Sequence, residues 1–210
     1  MRIEFDNERI EIPGMQYTKN THRERLAYAV GALLYSPANR PDIADAVIRH
    51  KYPKLSSLAL CLEDSIADGA EPEARRQLVK TLKELRAALD DGIFSSEELP
   101  LVFVRVRSPR QFEEMKEALI ELRSVLTGFI FPKFDESCAE DYRRVLEEMN
   151  KGGGDTLYAM PILESGSVLS RLTRAESLGN IYKMVNAMEE LVLNVRVGGN
   201  DFCRFYGLRR

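Results

Sequence analysis

Six short apolar runs recur along the chain, most of them followed by an amphipathic stretch at helical spacing, and this alternation constrains the fold more than any other feature. The runs are Ala29 to Tyr35, Ser57 to Leu62, Leu101 to Val106, Gly128 to Phe131, Thr156 to Leu163 and Leu191 to Val197. They are nearly continuous in apolar character, as parallel strands covered on both faces require. Pro41 to Arg49, Pro72 to Leu89, Pro109 to Val125 and Ser137 to Met149 read as crossover helices. The first three open on proline at an N1-type position, and Leu78, Leu82, Leu85 and Leu89 share one face of the second. Gly152-Gly153-Gly154 reads as a C-cap and turn, because a phosphate cradle would follow a strand and precede a helix. Ser165 to Leu191 is expected to hold a helix, a break at Gly179 and a second short helix. The pattern predicts an α/β domain around an interior parallel sheet.

A chain of 210 residues with 44% apolar and 30% charged content can bury one sizeable core, so a single domain over 1–210 is expected, with 1–28 as a lead-in. The charge of −3, from 30 basic and 33 acidic residues, carries no footprint for nucleic acid. Cys61, Cys138 and Cys203 show no C-x-x-C spacing, which argues against a disulfide framework or a structural zinc site. No stretch reaches the length of a membrane span, and Met1 to Gly14 has no apolar core of a secretion signal. A cytoplasmic protein without membrane contact is expected.

In a parallel barrel, catalytic groups come from the C-terminal ends of the strands. Those ends are unusually polar here: Tyr35-Ser36-Pro37-Ala38-Asn39-Arg40, Leu62-Glu63-Asp64-Ser65, Arg105-Val106-Arg107, Pro132-Lys133, Leu163-Glu164-Ser165 and Gly198-Gly199-Asn200-Asp201-Phe202. Adjacent strands lie a little under about 5 Å apart, so Glu164 and Asp201, ending strands five and six, can share one cation. Oxygen ligands without His or Cys select a hard ion, Mg²⁺ with Mn²⁺ as a substitute. Any one of Asp64, Glu164 or Asp201 alone reads as a helix cap; their co-occurrence favours a site. Arg105 reads as a buried partner for a neighbouring acid that can also face a substrate carboxylate. Lys133 reads first as a partner for Glu164, with a Schiff-base nucleophile or a substrate anchor as the other options. His22 and His50 fall at the wrong end of the strands for chemistry. Met184 and Met188 read as core. Arg204, Arg209 and Arg210 could meet a phosphate, although a short basic tail is usually solvated.

Taken in order, these strand-end motifs resemble those of the citrate lyase beta-subunit and class II pyruvate-aldolase superfamily. The ending Val195 to Phe202, with Phe205 to Arg210, resembles more closely still the carbon–carbon bond lyases of tellurium-resistance and stress operons. The resemblance implies a TIM (β/α)₈ barrel, here stopping after strand six, with Mg²⁺ on Glu164 and Asp201. It implies Arg105 on the substrate carboxylate or carbonyl, and Glu63 and Asp64 ordering metal-bound waters or serving as base. Asn39 and Arg40 would line the mouth, and Arg107 adds a cation where asparagine is common. The implied reaction makes or breaks a C–C bond beside a carbonyl of a small carboxylate or acyl-CoA substrate through a metal-stabilised enolate, in a homo-oligomer. Six strands leave two open edges, so either the chain is truncated or another chain closes the barrel.

Two other classes remain. One is a catalytically silent barrel fragment or assembly subunit. The other is a flavodoxin-like or Rossmann binding protein, against which the first strand lacks a G-x-G-x-x-G turn.

Overall fold

The computed structural model describes residues 17–208. The elements run α1 (Arg23–Ala29), β1 (Leu33–Pro37), α2 (Ile43–Ile48), β2 (Ser57–Cys61), α3 (Glu71–Asp90), β3 (Leu101–Arg105) and α4 (Pro109–Glu121). They continue as β4 (Gly128–Phe131), α5 (Ala139–Lys151), β5 (Tyr158–Leu163), α6 (Gly166–Leu169), α7 (Arg174–Ala187), β6 (Arg196–Val197) and α8 (Gly199–Phe205). All neighbouring strands are parallel, and their spatial order β1-β2-β3-β4-β5-β6 is the order of the chain. Each crossover therefore moves one place in the same direction, the winding of a barrel wall. The wall holds six strands, with β1 and β6 as its two edges among the described residues. No helix among these residues is long and apolar enough to cross a membrane.

Side chains alternate between two apolar layers. Leu58, Leu60, Leu62, Val102, Val104, Phe129 and Phe131 face the helices, where they meet Leu78, Leu82, Leu85 and Phe112. Ala59, Leu101, Phe103, Ile130, Met160 and Ile162 face the interior of the wall, covered from below by Leu26 and Val30. With both faces buried, the strands have no polar alternation to show, which explains the continuous apolar runs. Aromatic packing anchors the helix layer: Phe131 stacks on Tyr142 with ring centres 4.2 Å apart, and Phe112 tilts against Phe129 at 4.6 Å. Gly128 lets β4 approach β5, since a Cβ there would lie 2.0 Å from the Tyr158 carbonyl oxygen.

Four boundaries differ from the sequence expectation. The first run splits, because Ala29 closes α1 and a turn at Gly31, with φ of +52°, precedes β1. The sixth shrinks to Arg196–Val197, with only an isolated bridge from Val192 to Ala159 upstream. Gly179 does not break α7, which runs through it; the break falls earlier, between α6 and α7. Pro41 sits outside α2, whose N-cap is Asp42. The glycine run behaves as expected: Gly152 is the C-cap of α5, and Gly153 and Gly154 take φ of +74° and +86°. Of the lead-in, residues 1–16 lie outside the described residues, as do Arg209 and Arg210.

Candidate metal and substrate site

The C-terminal ends of the strands enclose a cavity of about 480 Å³. Its acids sit at the points where the backbone leaves the sheet. Glu63 and Asp64 follow β2, Glu164 follows β5, and Asp201 lies in the first turn of α8. Asp201 gains there from the positive helix end. Arg105 closes β3 with its side chain inside the wall.

Arg105 holds the acids together through one nitrogen. Its Nη2 lies 2.8 Å from Glu63 Oε2, 3.3 Å from Asp64 Oδ2 and 3.4 Å from Glu164 Oε1. Arg105 is 9% exposed, Glu63 5% and Glu164 6%, so these are buried charges, stable only as a paired set. Glu63 is the most fully engaged: Lys133 Nζ sits 2.6 Å from its Oε1, and the Asp64 amide donates to Oε2 at 2.8 Å. The expected ammonium partner of Glu164 is thus a correction: Lys133 gives its ammonium to Glu63. What it gives Glu164 is its backbone N–H, at 3.1 Å from Oε1. That amide is aimed by a left-handed backbone, φ +49° at Lys133, a conformation costing about 1–2 kcal/mol outside glycine.

Electrostatics separates the acids. Burial pushes the Glu164 carboxyl up from its ordinary 4.5 to about 7, with a push from Asp201 and against opposition from Arg105 and the Lys133 amide. Burial also raises Asp64, but its contact with Glu63 and the charges of Arg105, Lys133 and Arg204 outweigh it and leave Asp64 below the usual carboxylate range. For Arg105 and Lys133, burial would lower the pKa, and the facing acids reverse the sign. Glu164 and Asp201 both line the cavity, and the Asp201 charge adds to the rise of the Glu164 carboxyl. An acid pair with oxygen donors only fits a hard divalent cation. Among the described residues no third His, Cys, Asp or Glu joins a metal cluster, so the remaining ligands of such an ion would be water and substrate. The backbone makes room for the pair: a Cβ on Gly198 would lie 2.1 Å from Glu164 Oε2.

Glu63 and Lys133 do not line the cavity themselves but bond to each other and, through Glu63, to Arg105; three further expected residues lie away from it. Arg107 donates to the carbonyls of Leu62, Glu63 and Ile66, at 3.2–3.4 Å, and so fastens the loop that carries Glu63 and Asp64. Arg40 is held in a fork by Asp42, at 3.0 and 2.6 Å, and lines a separate groove with Tyr52 and Lys54. Asn39 is exposed and lines neither. His50 faces Glu98 at 3.4 Å, away from the cavity. Conversely, Tyr35 and Arg196 line the cavity and were not singled out. Arg196 had the same signal as Arg105, a charge inside an apolar run.

Comparison with solved structures gives the protein CitE of Mycobacterium tuberculosis in complex with magnesium and acetate, at 17% identity and TM-score 0.49, covering 88% of this chain and 61% of that one. It also gives the citrate lyase beta subunit of M. tuberculosis complexed with oxaloacetate and magnesium, at 16% identity and TM-score 0.46, covering 85% and 62%. The chain thus spans 61–62% of the length of these structures. The curated proteins give no match. The family model described as C-C_Bond_Lyase of the TIM-Barrel fold matches residues 24–210, and on that match, over a wall of parallel strands with its acids at their C-terminal ends, the chain belongs to the carbon–carbon bond lyase family of the TIM-barrel fold.

Proposed function

We propose that the chain is a Mg²⁺-dependent carbon–carbon lyase or aldolase acting on a small carboxylated or acyl-CoA substrate. The observation that carries this reading is the two acids that line the cavity, Glu164 and Asp201, beside Arg105 at the mouth of the strands. Glu164 and Asp201 would hold the cation, and Mn²⁺ would serve in its place. Bound there, such an ion supplies Lewis-acid polarisation of a substrate carbonyl.

The chain's own residues account for the rest. Arg105 presents a permanent cation to the substrate's carboxylate or carbonyl oxygen, where charge builds as the bond breaks. Asp64, kept ionised and half-exposed at the cavity, accepts the proton of the substrate hydroxyl at Oδ. The C–C bond then breaks as the new carbonyl forms, and its electron pair passes toward the carbonyl that Arg105 faces. Glu63 is a poor candidate base, since Arg105, Lys133 and the Asp64 amide occupy its oxygens. Lys133 is tied to Glu63 and charged, so it positions Glu63 and Glu164 and is not free to act as a Schiff-base nucleophile.

Calorimetric titration with Mg²⁺ tests the site. The wild type should bind, and Glu164→Ala and Asp201→Ala should each lose at least about a hundredfold in affinity, on the scale of removing one charged ligand. Full metal affinity in both variants would place the site elsewhere. A second reading, a catalytically silent barrel fragment or assembly subunit, has in its favour the apolar residues Leu34, Tyr35 and Val197 exposed along the edges of the described sheet. Sedimentation separates the two: a homo-oligomer binding Mg²⁺ supports the enzyme, and a metal-free monomer supports the subunit.

A further inference from the structure

One cation lining the cavity is not engaged by its acids. Arg196 pairs with Ile162 in the sheet register, and Ile162 belongs to the inward layer, so the Arg196 side chain shares that inward face and lines the cavity. Among the described residues Arg196 makes no ion pair and no side-chain hydrogen bond. Arg105 spends Nη2 on all three of its acids, while its Nε is buried without a partner. A buried donor left unpaired costs free energy that a ligand oxygen would relieve. Tyr35 stands beside both cations: its ring centre lies 5.8 Å from Arg105 Cζ, and the Arg196 charge reaches its phenol. Burial raises the phenol's pKa, so it remains a neutral O–H donor.

We propose that Arg196, together with the Tyr35 hydroxyl, forms a second anion subsite that takes the distal carboxylate of a small dicarboxylic substrate. The proposal rests on the reading of Glu164 and Asp201 as the metal end of the same cavity. A ligand whose one carboxylate meets Arg105 leaves Arg196 unanswered, and a second carboxylate would answer it. A planar guanidinium can grip a carboxylate through two parallel hydrogen bonds. The cavity volume of about 480 Å³ lies within the range of small-molecule sites. Arg196 then determines specificity and takes no part in breaking the bond.

Affinities measured by calorimetry in saturating Mg²⁺ provide the test, with 2-oxo acids matched in length and differing only in the distal carboxylate: oxaloacetate against 2-oxobutanoate, and 2-oxoglutarate against 2-oxopentanoate. The wild type should prefer the dicarboxylate of at least one pair by roughly tenfold or more, as expected for one charge-assisted contact. Arg196→Gln should erase that preference while leaving monocarboxylate and Mg²⁺ affinity within about twofold. Arg196→Lys, which keeps the charge but not the fork, should retain part of it and guards against a variant that fails to fold. No preference in the Mg²⁺-bound wild type, or an equal loss for both members of a pair, would overturn the subsite and leave the metal site standing. Absence of Mg²⁺ binding in the wild type would overturn the metal reading itself.

Discussion

Arg105 directs a single nitrogen at three carboxylates, and removing its charge would strand two acids that are nearly fully buried. Arg105→Met should therefore destabilise the fold by about 3–5 kcal/mol in denaturant titration, the range for breaking a buried ion pair from one side. Glu164 adds a pH dependence whose sign is fixed by its raised carboxyl. In the metal-free protein the folded state holds a proton on Glu164 up to about pH 7, whereas the unfolded chain releases it near 4.5. The resulting stabilisation is fully present below pH 4.5 and is lost as pH rises through 7. Metal and proton compete for the same oxygens, so Mg²⁺ affinity should fall by up to about tenfold per unit as pH drops below 7, measurable by titration at pH 8, 7 and 6. At this scale the sequence was legible for Glu63, Asp64, Arg105, Glu164 and Asp201, because each ends or follows an apolar run. It was not legible for Lys133 and Arg107, whose long side chains choose partners according to where loops come to rest.

Elements were legible wherever burial alone decided them. The runs at β2, β3 and β4 match their strands to within a residue, since both faces of each are covered. β6 contracted because Asn194 and Val195 depart from the ladder between Leu193, whose amide donates to the Ala159 carbonyl, and the Arg196–Val197 pair. Gly179 misled for a different reason: glycine weakens a helix without obliging it to stop. Nothing lies within 4 Å of the position its Cβ would take, so Gly179→Ala should stabilise α7 by about 0.5–1 kcal/mol, seen as a higher melting temperature. Ser108, the N-cap of α4, accepts from the Gln111 amide at 3.2 Å, and Ser108→Ala should cost about 1 kcal/mol by the same measurement.

Among the described residues, the sheet is paired on both sides at β2 through β5 and on one side only at β1 and β6. Hydrogen exchange should reflect this, with β1 and β6 amides roughly a hundredfold less protected than those of β3, because local opening there breaks fewer bonds and exposes less apolar surface. Exposed Phe205, Tyr206 and Leu208 near the β6 edge add apolar surface to the same region. The winding direction and parallel pairing follow from the repeated strand–helix pattern. Gly198 and Glu164 bear on how such barrels are rearranged. The glutamate follows the strand of the fifth βα unit and the glycine follows the strand of the sixth, and the carboxylate occupies the space that any side chain at 198 would fill. A recombinant barrel that took its fifth unit from one parent and its sixth from another would keep this acid in place only if the incoming sixth unit also brought a glycine, so the two units are inherited as one module.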